Sequence, residues 1–500
     1  MLGKYKKYYP IIEKKRNIFE KLIEKIKISK TLEKKLYYAE IALKFAVKQP
    51  TGYYTSSFLE NFYLEYAKTL KFSNNNQEYK KNTFLHVLTS GYNSGGHTRV
   101  IERWIENAPI SQEHSVVVLK PVNELSILEK NIKEKNGNYI LFEKNIDLAT
   151  RALKLRELAL NYEYIILHTH MDDPTAVVAF GIEKFERPVI FYNHSAHLFW
   201  IGKSIADIVL DVVKDNEITQ KQRNIKNSFF VGIPAFITKK NIISKEEARK
   251  KTKIPNNKKI ILSTASNLKY SPIGNDNFYN LVKDLLDENT YCYVIGPSLK
   301  EKLWKKYYKK SKGHIIPLGT IGFNNGYLDY VASADLCIDS FPLNSGTALM
   351  DAISSNIPSL SMKCAMYMLD YLKNTHGFCL NKNDFENRAK NILNDKNYAK
   401  NLLMEEQKSL FEMQSVNAWN KRIEEMLKIV PKKHSIKDLS NENDYKEIND
   451  LCVLNHFCNT DNMKINFLSK FIFLFKYLIY KLSKNIQKEI KYYILVQKFW

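Results

Sequence analysis

The sequence is poor in cysteine and has no long apolar run, and both absences exclude classes of protein. Only six of the 500 residues are cysteine, and no two have C-x-x-C spacing. Buried reduced thiols therefore fit better than disulfides or zinc ligands, which indicates a reducing compartment. The N-terminal stretch MLGKYKKYYPIIEKK lacks the apolar segment of a signal peptide. No uncharged run reaches 18 residues, so the sequence predicts no transmembrane helix.

Acidic residues are fewer than basic residues, and the excess positive charge is unevenly distributed along the chain. Lys and Arg number 76 against 53 Asp and Glu, a net charge of +23. Such charge attracts nucleic acid, anionic lipid or phosphorylated substrates. Residues 1–36 carry +8 and residues 461–500 carry +6, so the middle of the chain is only mildly basic. A nucleic-acid-binding protein is one alternative, but it rests on charge alone because no reader motif is present.

The apolar pattern predicts a helical start followed by two series of alternating strands and helices. Residues 10–70 have helical spacing, and the length of the chain predicts two or three domains. Short apolar runs separated by helix-length segments are typical of buried parallel sheets. The runs are FLHVLT, SVVVL, YIILH, PVIFY and DIVLD, and then KKIILSTAS, YCYVIG, HIIPLG, ADLCID and IPSLSM.

These patterns predict an α/β protein with two Rossmann-like domains. We expect a helical cap at 1–82, one Rossmann-like domain at 83–237, a second at 238–430, and a linker with a basic amphipathic tail at 431–500. Ligands of such sheets bind outside the carboxyl ends of the strands. The functional site is therefore expected in the cleft between the two domains.

A glycine-rich loop follows the first predicted strand. In LTSGYNSGGHTRV (88–100), Gly95 and Gly96 permit close approach of a ligand to the backbone, and His97 stands beside them. A neutral imidazole here could accept a proton from an attacking hydroxyl. The alternative is an ordinary strand-to-helix turn without a ligand.

Two further segments place histidines at the same edge of the first sheet. LHTHMDDP (167–174) and FYNHSAHLFW (191–200) supply His168, His170, His194 and His197. A metal site with Asp172 and Asp173, a substrate role, and plain hydrogen bonding to the backbone are all open. Because H-x-H and H-x-x-H also occur on loops without metal, we expect no metal here.

The second series carries two polar segments suited to a nucleoside diphosphate. Lys269 follows the strand of ILSTAS, and a lone lysine there is more often a solvated surface residue. The segment ADLCIDSFPLNSGTALMD supplies Asp339, Ser345, Gly346, Thr347 and Asp351. A helix that starts at Gly346 and Thr347 offers N–H groups to phosphate. Asp351 could then reach a ribose diol, or serve only as a partner of the helix dipole.

Together these residues resemble GT-B glycosyltransferases over roughly residues 84–430. The ADLCIDSFPLNSGTALMDAISSNIPSL and SNLKYSP segments look most like the inverting, metal-independent branch, which includes O-linked N-acetylglucosamine transferases and HMW-type N-glucosyltransferases. The resemblance implies a nucleotide diphosphate sugar as donor, most simply a UDP-sugar, with no cofactor and no metal. It implies that Lys269 and the 345–347 segment hold the diphosphate and that Asp351 holds the ribose. His97 is the first candidate for the catalytic base and His197 the second, with Gly95, Gly96 and His194 on the acceptor side.

Three departures from the family pattern qualify the resemblance. Retaining GT-B enzymes show an E-x7-E pair here, whereas this chain has Leu343 and Asp351. The inverting branch usually has two threonines after the glycine, and this chain has Thr347 and Ala348. No tetratricopeptide array precedes the core, so a protein acceptor is not implied. A non-catalytic GT-B scaffold is a further alternative.

The C-terminal segment predicts contact with a membrane surface. INFLSKFIFLFKYLIYKLSKNIQ (465–487) places aromatic and aliphatic residues along one helical stripe flanked by lysines. Packing on the helical cap or on a second copy is the alternative, and the oligomeric state is open. We expect a cytoplasmic enzyme at the inner face of a bacterial membrane that acts on a glycan or lipid-linked acceptor of capsule or lipooligosaccharide synthesis, with no nucleic-acid partner.

Overall fold

The computed structural model describes residues 3–71, 78–92, 96–234, 243–366 and 370–460. It divides into two compact units, one formed by Met1–Tyr53 with Lys446–Trp500 and the other by Tyr54–Tyr445. The helices are, in chain order, α1 (Tyr9–Ile28), α2 (Leu32–Lys48), α3 (Ser57–Lys68), α4 (Gly96–Asn107), α5 (Ser126–Glu134), α6 (Leu148–Ala159), α7 (Thr175–Phe180), α8 (Lys245–Thr252), α9 (Phe278–Val282), α10 (Lys302–Lys310), α11 (Tyr327–Ser333), α12 (Thr347–Ser354), α13 (Asp370–Lys373), α14 (Lys382–Asn394), α15 (Lys396–Gln414), α16 (Val416–Ile429) and α17 (Asp450–Thr460).

The smaller unit is helical. Its α1 and α2 pack against each other and α17 packs on α1, with Phe19 and Leu22 almost fully buried. The carboxylate of Asp450 accepts hydrogen bonds from the first backbone N–H groups, among them that of Lys4 at 2.8 Å. The helical character predicted for residues 10–70 is therefore present, although α3 belongs to the larger unit.

The larger unit contains two parallel sheets, as the sequence predicts. The first has the order β3-β2-β1-β4-β5-β6-β7. Its strands are β1 (Lys80–Leu88), β2 (Glu113–Val118), β3 (Tyr139–Leu141), β4 (Tyr162–His168), β5 (Val189–Asn193), β6 (Ile208–Asp211) and β7 (Ser228–Phe230). The order reverses between β1 and β4, which places the switch point of a doubly wound sheet at their carboxyl ends. The strand β3 was not predicted.

The second sheet has the order β10-β9-β8-β11-β12-β13. Its strands are β8 (Lys259–Thr264), β9 (Thr290–Ile295), β10 (Ile315–Gly319), β11 (Leu336–Ile338), β12 (Ser359–Met362) and β13 (Phe378–Cys379). The switch point lies between β8 and β11, the two strands that the polar segments follow. The α/β fold class with two Rossmann-like sheets is thus confirmed, while the two-residue β13 was missed.

One apolar core extends from the first sheet to the second and to α16. Trp104 of α4 and Trp419 of α16 are both buried and meet edge to face, with ring centroids 5.5 Å apart. Arg422 of α16 donates through Nε to the backbone oxygen of Val231 at 2.9 Å. The chain therefore returns to the first sheet after it has completed the second.

Part of the predicted linker after residue 430 also packs on the first sheet. His434 lies 2.8 Å from the carboxylate of Asp207, and Lys437 donates through its backbone to Ser204. Among the helices that the structure describes, none combines the length and the apolar character needed to cross a membrane. The amphipathic segment predicted at 465–487 lies outside the described residues.

Candidate active site

A cavity of about 920 Å³ lies where the carboxyl ends of the two sheets meet. The first half contributes residues of α4 and of the loops after β4 and β5. The second half contributes the segments after β8, β9, β10 and β11. This is the position at which doubly wound sheets bind ligands, and the cavity is large enough for a small organic ligand.

On the second half, Asp339 organises the loop that follows β11. Its buried carboxylate accepts from the backbone N–H of Ser345 and from the hydroxyl of Ser345, both at 2.8 Å. It also accepts from the hydroxyl of Ser361 at 2.9 Å. Asp339 does not line the cavity, whereas Ser345, Gly346 and Thr347 do. The structure therefore places Asp339 behind the loop, with the other three residues at the surface of the cavity.

Gly346 sets the direction in which α12 begins. Its φ of +69° is a conformation that side chains disfavour. The hydroxyl of Tyr371 donates to its carbonyl at 2.7 Å. Thr347 then starts α12 at the cavity, so the positive end of the helix dipole lies at the cavity.

Lys269 lies beside the same loop. It stands on the 3-10 turn Asn267–Tyr270 after β8, and its ammonium donates to the backbone oxygen of Asn344 at 2.9 Å. The structure thus brings Lys269 and the start of α12 together at the cavity. The ammonium of Lys269 and the N-terminus of α12 therefore place positive charge on the same side of the cavity.

Asp351 links the two halves across the cavity. Its Oδ1 lies 3.5 Å from Arg103 of α4, and its Oδ2 accepts from the hydroxyl of Tyr327 at 3.3 Å. Burial raises the pKa of Asp351, and the charges of Arg103 and Arg99 oppose that rise. Contact with a ribose, as predicted, would compete with these partners.

Two arginines of α4 were missed by the sequence analysis. Arg99 places its guanidinium 3.4 Å from the ring centroid of Phe323, and Arg103 is the partner of Asp351. Both line the cavity. Their spacing of four residues just after the glycine-rich loop puts them on one helix face, a signal that was available in GGHTRVIER.

On the first half, His97 presents an unprotonated nitrogen. Its Nε2 is buried without a hydrogen-bond partner among the described residues. A neutral imidazole carries one N–H and one lone pair, so one ring nitrogen of His97 can accept a proton. Burial, aided by His170, lowers the pKa of His97 to about 4. Gly96 lines the cavity beside it, and Gly95 lies outside the described residues.

His197 faces the second half of the site. Burial, together with the positive charges of Lys269 and Arg223, lowers its pKa to about 3. The influence of Lys269 on His197 means that the predicted acceptor and donor sides meet across the cavity. Both candidate bases are neutral at pH 7.

The four predicted edge histidines do not all reach the cavity. His170, His194 and His197 line it, and His168 is buried behind them. The nitrogens of His97, His168 and His194 lie within 4.8 Å of one another, a spacing compatible with a metal ion. Each nitrogen of His168 already lies within 3.0 Å of a neighbouring histidine ring. A metal would have to displace such a contact, and the expectation of no metal stays a prediction.

Several cavity-lining groups lack partners within the described part of the chain. Besides His97, these are the Oδ1 of Asn193, the Nε1 of Trp200 and the Oγ1 of Thr264. Buried polar atoms in native proteins are nearly always hydrogen-bonded. A polar ligand with several hydroxyl or carbonyl groups would meet this requirement.

No known protein-family model matches the chain, and no curated protein matches it either. Solved structures do. HepE of Anabaena with UDP and glucose has a TM-score of 0.53 at 12% identity, covering 69% of this chain and 99% of HepE. A Rickettsia africae glycosyltransferase has a TM-score of 0.54 at 14% identity, covering 70% and 100%.

A variant of the Thermobaculum terrenum O-GlcNAc transferase has a TM-score of 0.51 at 8% identity, covering 91% of this chain and 85% of the transferase. At such identities the likeness concerns the fold alone. The larger unit of this chain has the GT-B fold, in which two Rossmann-like domains share one cleft.

Proposed function

We propose that the chain is a glycosyltransferase that uses a nucleotide diphosphate sugar. The observation that carries the proposal is the cavity, where Lys269 and the N-terminus of α12 face the neutral imidazoles of His97 and His197. One side is suited to a leaving diphosphate and the other to an attacking hydroxyl. The GT-B fold that the chain shares with sugar transferases agrees with this division.

On the donor side, cleavage of the anomeric bond leaves negative charge on the diphosphate. Lys269 and the positive N-terminal end of α12 at Gly346 and Thr347 would stabilise that charge, and Asp339 holds the loop that carries the start of this helix. UDP is our first choice of nucleotide because HepE was solved with UDP and glucose. Fixed positive groups can replace a divalent cation, so we propose metal-independent transfer.

On the acceptor side, His97 would remove the proton from the attacking hydroxyl. His97 lines the cavity, and its low pKa leaves one ring nitrogen unprotonated at pH 7. His197 is the second candidate, nearer to Lys269. His194 would lie along the acceptor path.

We propose that transfer inverts the anomeric centre. A retaining mechanism of the E-x7-E type would need a carboxylate at position 343, and Leu343 is buried there. The hydroxyl would therefore attack directly from the face opposite the diphosphate, with a histidine as base.

We place the acceptor among glycans or lipid-linked glycans of a bacterial surface, with the enzyme at the inner face of the membrane. The net charge of +6 in residues 461–500 and their aromatic pattern support this location. The full chain should float with anionic vesicles, whereas a chain that ends at residue 460 should not. Equal flotation of both would remove the role of this segment.

The decisive test is calorimetric binding of UDP, GDP, CMP and ADP, each with and without magnesium. Binding of UDP that is indifferent to magnesium supports the donor assignment, and turnover of a UDP-sugar would establish the reaction. Binding of another nucleotide would keep the fold and change the donor. Binding without turnover on any acceptor tested would favour the scaffold alternative, and no binding would remove the nucleotide-sugar proposal.

A further inference from the structure

Four histidines of the first half form a continuous hydrogen-bonded row inside the sheet. His86 Nε2 lies 2.9 Å from His114 Nδ1, and His86 Nδ1 lies 3.0 Å from His168 Nε2. His168 Nδ1 lies 2.8 Å from His194 Nε2. At the outer end, His114 Nε2 lies 3.3 Å from the side-chain oxygen of Gln112. We call His114, His86, His168 and His194 the histidine row.

The row runs from the rim of the sheet to the cavity. His86, His114 and His168 belong to β1, β2 and β4 and are fully buried, whereas His194 follows β5 and lines the cavity. The ring of His194 lies 4.0 Å from that of His97, centroid to centroid. The row therefore ends beside the candidate base.

Each imidazole inside the row must donate to one neighbour and accept from the other. A neutral imidazole has one N–H and one lone pair, and burial keeps these rings neutral by lowering the pKa of His114 to about 3 and that of His86 far below its usual value. Reversal of one ring alone would set two N–H groups or two lone pairs against each other. The direction of donation is therefore shared by the whole row.

The orientation of the Gln112 amide gives the row its direction. Its oxygen is directed at His114 Nε2, and in this orientation His114 donates from Nε2 and must accept at Nδ1. The same step repeated through His86 and His168 makes His194 donate from Nε2. The remaining nitrogen of His194, its Nδ1, then carries a lone pair.

We propose that Gln112 and the histidine row set the tautomer of His194, so that its Nδ1 is a second proton acceptor beside His97. Gln112, His114, His86 and His168 are positioning residues in this scheme, since only His194 reaches the cavity. The catalytic consequence rests on the proposed function, and the tautomer itself does not.

Nitrogen NMR of the full chain with 15N-labelled histidine tests the tautomer directly. In the wild type, His194 should carry its proton on Nε2. In Gln112→Lys, whose side chain can only donate, the row should reverse and the proton should appear on Nδ1 of His194. A wild type protonated on Nδ1, or a Lys variant in which His194 does not change, would overturn the proposal.

A break in the row provides the matched control. In His86→Phe, an aromatic ring remains but both hydrogen bonds are lost, so Gln112→Lys added to this variant should no longer affect His194. His86→Gln keeps one donor and one acceptor and should restore part of the coupling. If the Phe variant does not fold, the single change at Gln112, which lies at the sheet rim, still decides the matter.

The activity measurement separates the two proposals. With an active donor and acceptor, Gln112→Lys should lower kcat by about tenfold, a part of the 10²–10⁴ typical of general-base catalysis, with KM for the donor unchanged. If the tautomer changes as expected but the chain turns over no nucleotide sugar, the proposed function is wrong and the proposal for the histidine row stands. Normal kcat with a reversed tautomer would remove its catalytic role.

Discussion

The two sheets reach the same cavity with different chemical groups. The first sheet presents imidazoles that burial keeps neutral, among them His97 and His197. The second presents positive groups, Lys269 and the start of α12, arranged around the carboxylate of Asp339. Uncharged imidazoles suit the acceptance of a proton, and positive groups suit a leaving anion. The difference therefore indicates that the first half would hold the acceptor and the second half the donor.

The largest expected effect comes from removal of the base. His97→Ala should reduce kcat by about 10²–10⁴ while UDP affinity stays normal, because His97 belongs to the proton-accepting side. Steady-state kinetics together with UDP calorimetry measures both quantities. The exposed His376 is the control, and His376→Ala should leave both unchanged. Normal turnover in His97→Ala would show that the base lies elsewhere.

Removal of the lysine on the donor side should weaken the binding of UDP. Lys269→Met removes a charge from the donor side and should weaken UDP binding by about 10- to 100-fold, since a hydrogen bond to a charged group contributes about 1.5–3 kcal/mol. Calorimetry at fixed salt measures the change. Lys309→Met, at an exposed position of α10, is the matched control. Unchanged affinity in the Lys269 variant would contradict the donor assignment.

Asp339→Asn tests whether the donor side depends on a preformed loop. The amide keeps the size of the carboxylate but cannot accept from the Ser345 and Ser361 donors in the same way. The free energy of unfolding should fall by about 1–3 kcal/mol, and UDP binding should weaken as well. Chemical denaturation measures the first effect, and a variant with wild-type stability would show that the loop holds its shape unaided.

The smallest effect concerns pH and the neutral histidines. The pKa of His114 is about 3 when folded and about 6.5 when unfolded. Between these values the unfolded chain binds the proton and the folded chain does not, so stability falls as the pH falls below about 6.5. Each such histidine contributes a slope of about 1.4 kcal/mol per pH unit.

Comparison of wild type with His114→Phe between pH 6 and pH 5 isolates one histidine. The variant should show a shallower loss of unfolding free energy with falling pH, whereas His376→Phe, at an exposed site, should keep the wild-type slope. Equal slopes in all three proteins would mean that His114 is not held neutral in the folded state.

The sequence predicted which segments border the site better than it predicted the contacts of their side chains. The strand ends that carry His97, His194, Lys269 and Thr347 were visible because polar residues interrupt apolar runs at the carboxyl ends of predicted strands. Asp339 was assigned to the ligand, yet its carboxylate turns back into the loop. A sequence shows that a carboxylate follows a strand, but the path of the next six residues decides where it points.

His86 and His114 show the same limit from inside the sheet. Each stands in an apolar run, FLHVL and EHSVV, where a histidine reads as an isolated buried polar residue. Only the strand order, with β1 between β2 and β4, makes them neighbours of each other and of His168. Their hydrogen bonds join residues 28 and 82 positions apart.

By itself the sequence determined the two parallel sheets, the cleft at their carboxyl ends and the polar segments that border it, because these depend on local periodicity and on which residues follow each strand. Only the tertiary structure decided that Arg103 lies next to Asp351, that Asp339 supports the loop from behind, and that four histidines are hydrogen-bonded to one another in a row. Such contacts join residues far apart in the chain, and their energies depend on burial and distance, which exist only once the chain has folded.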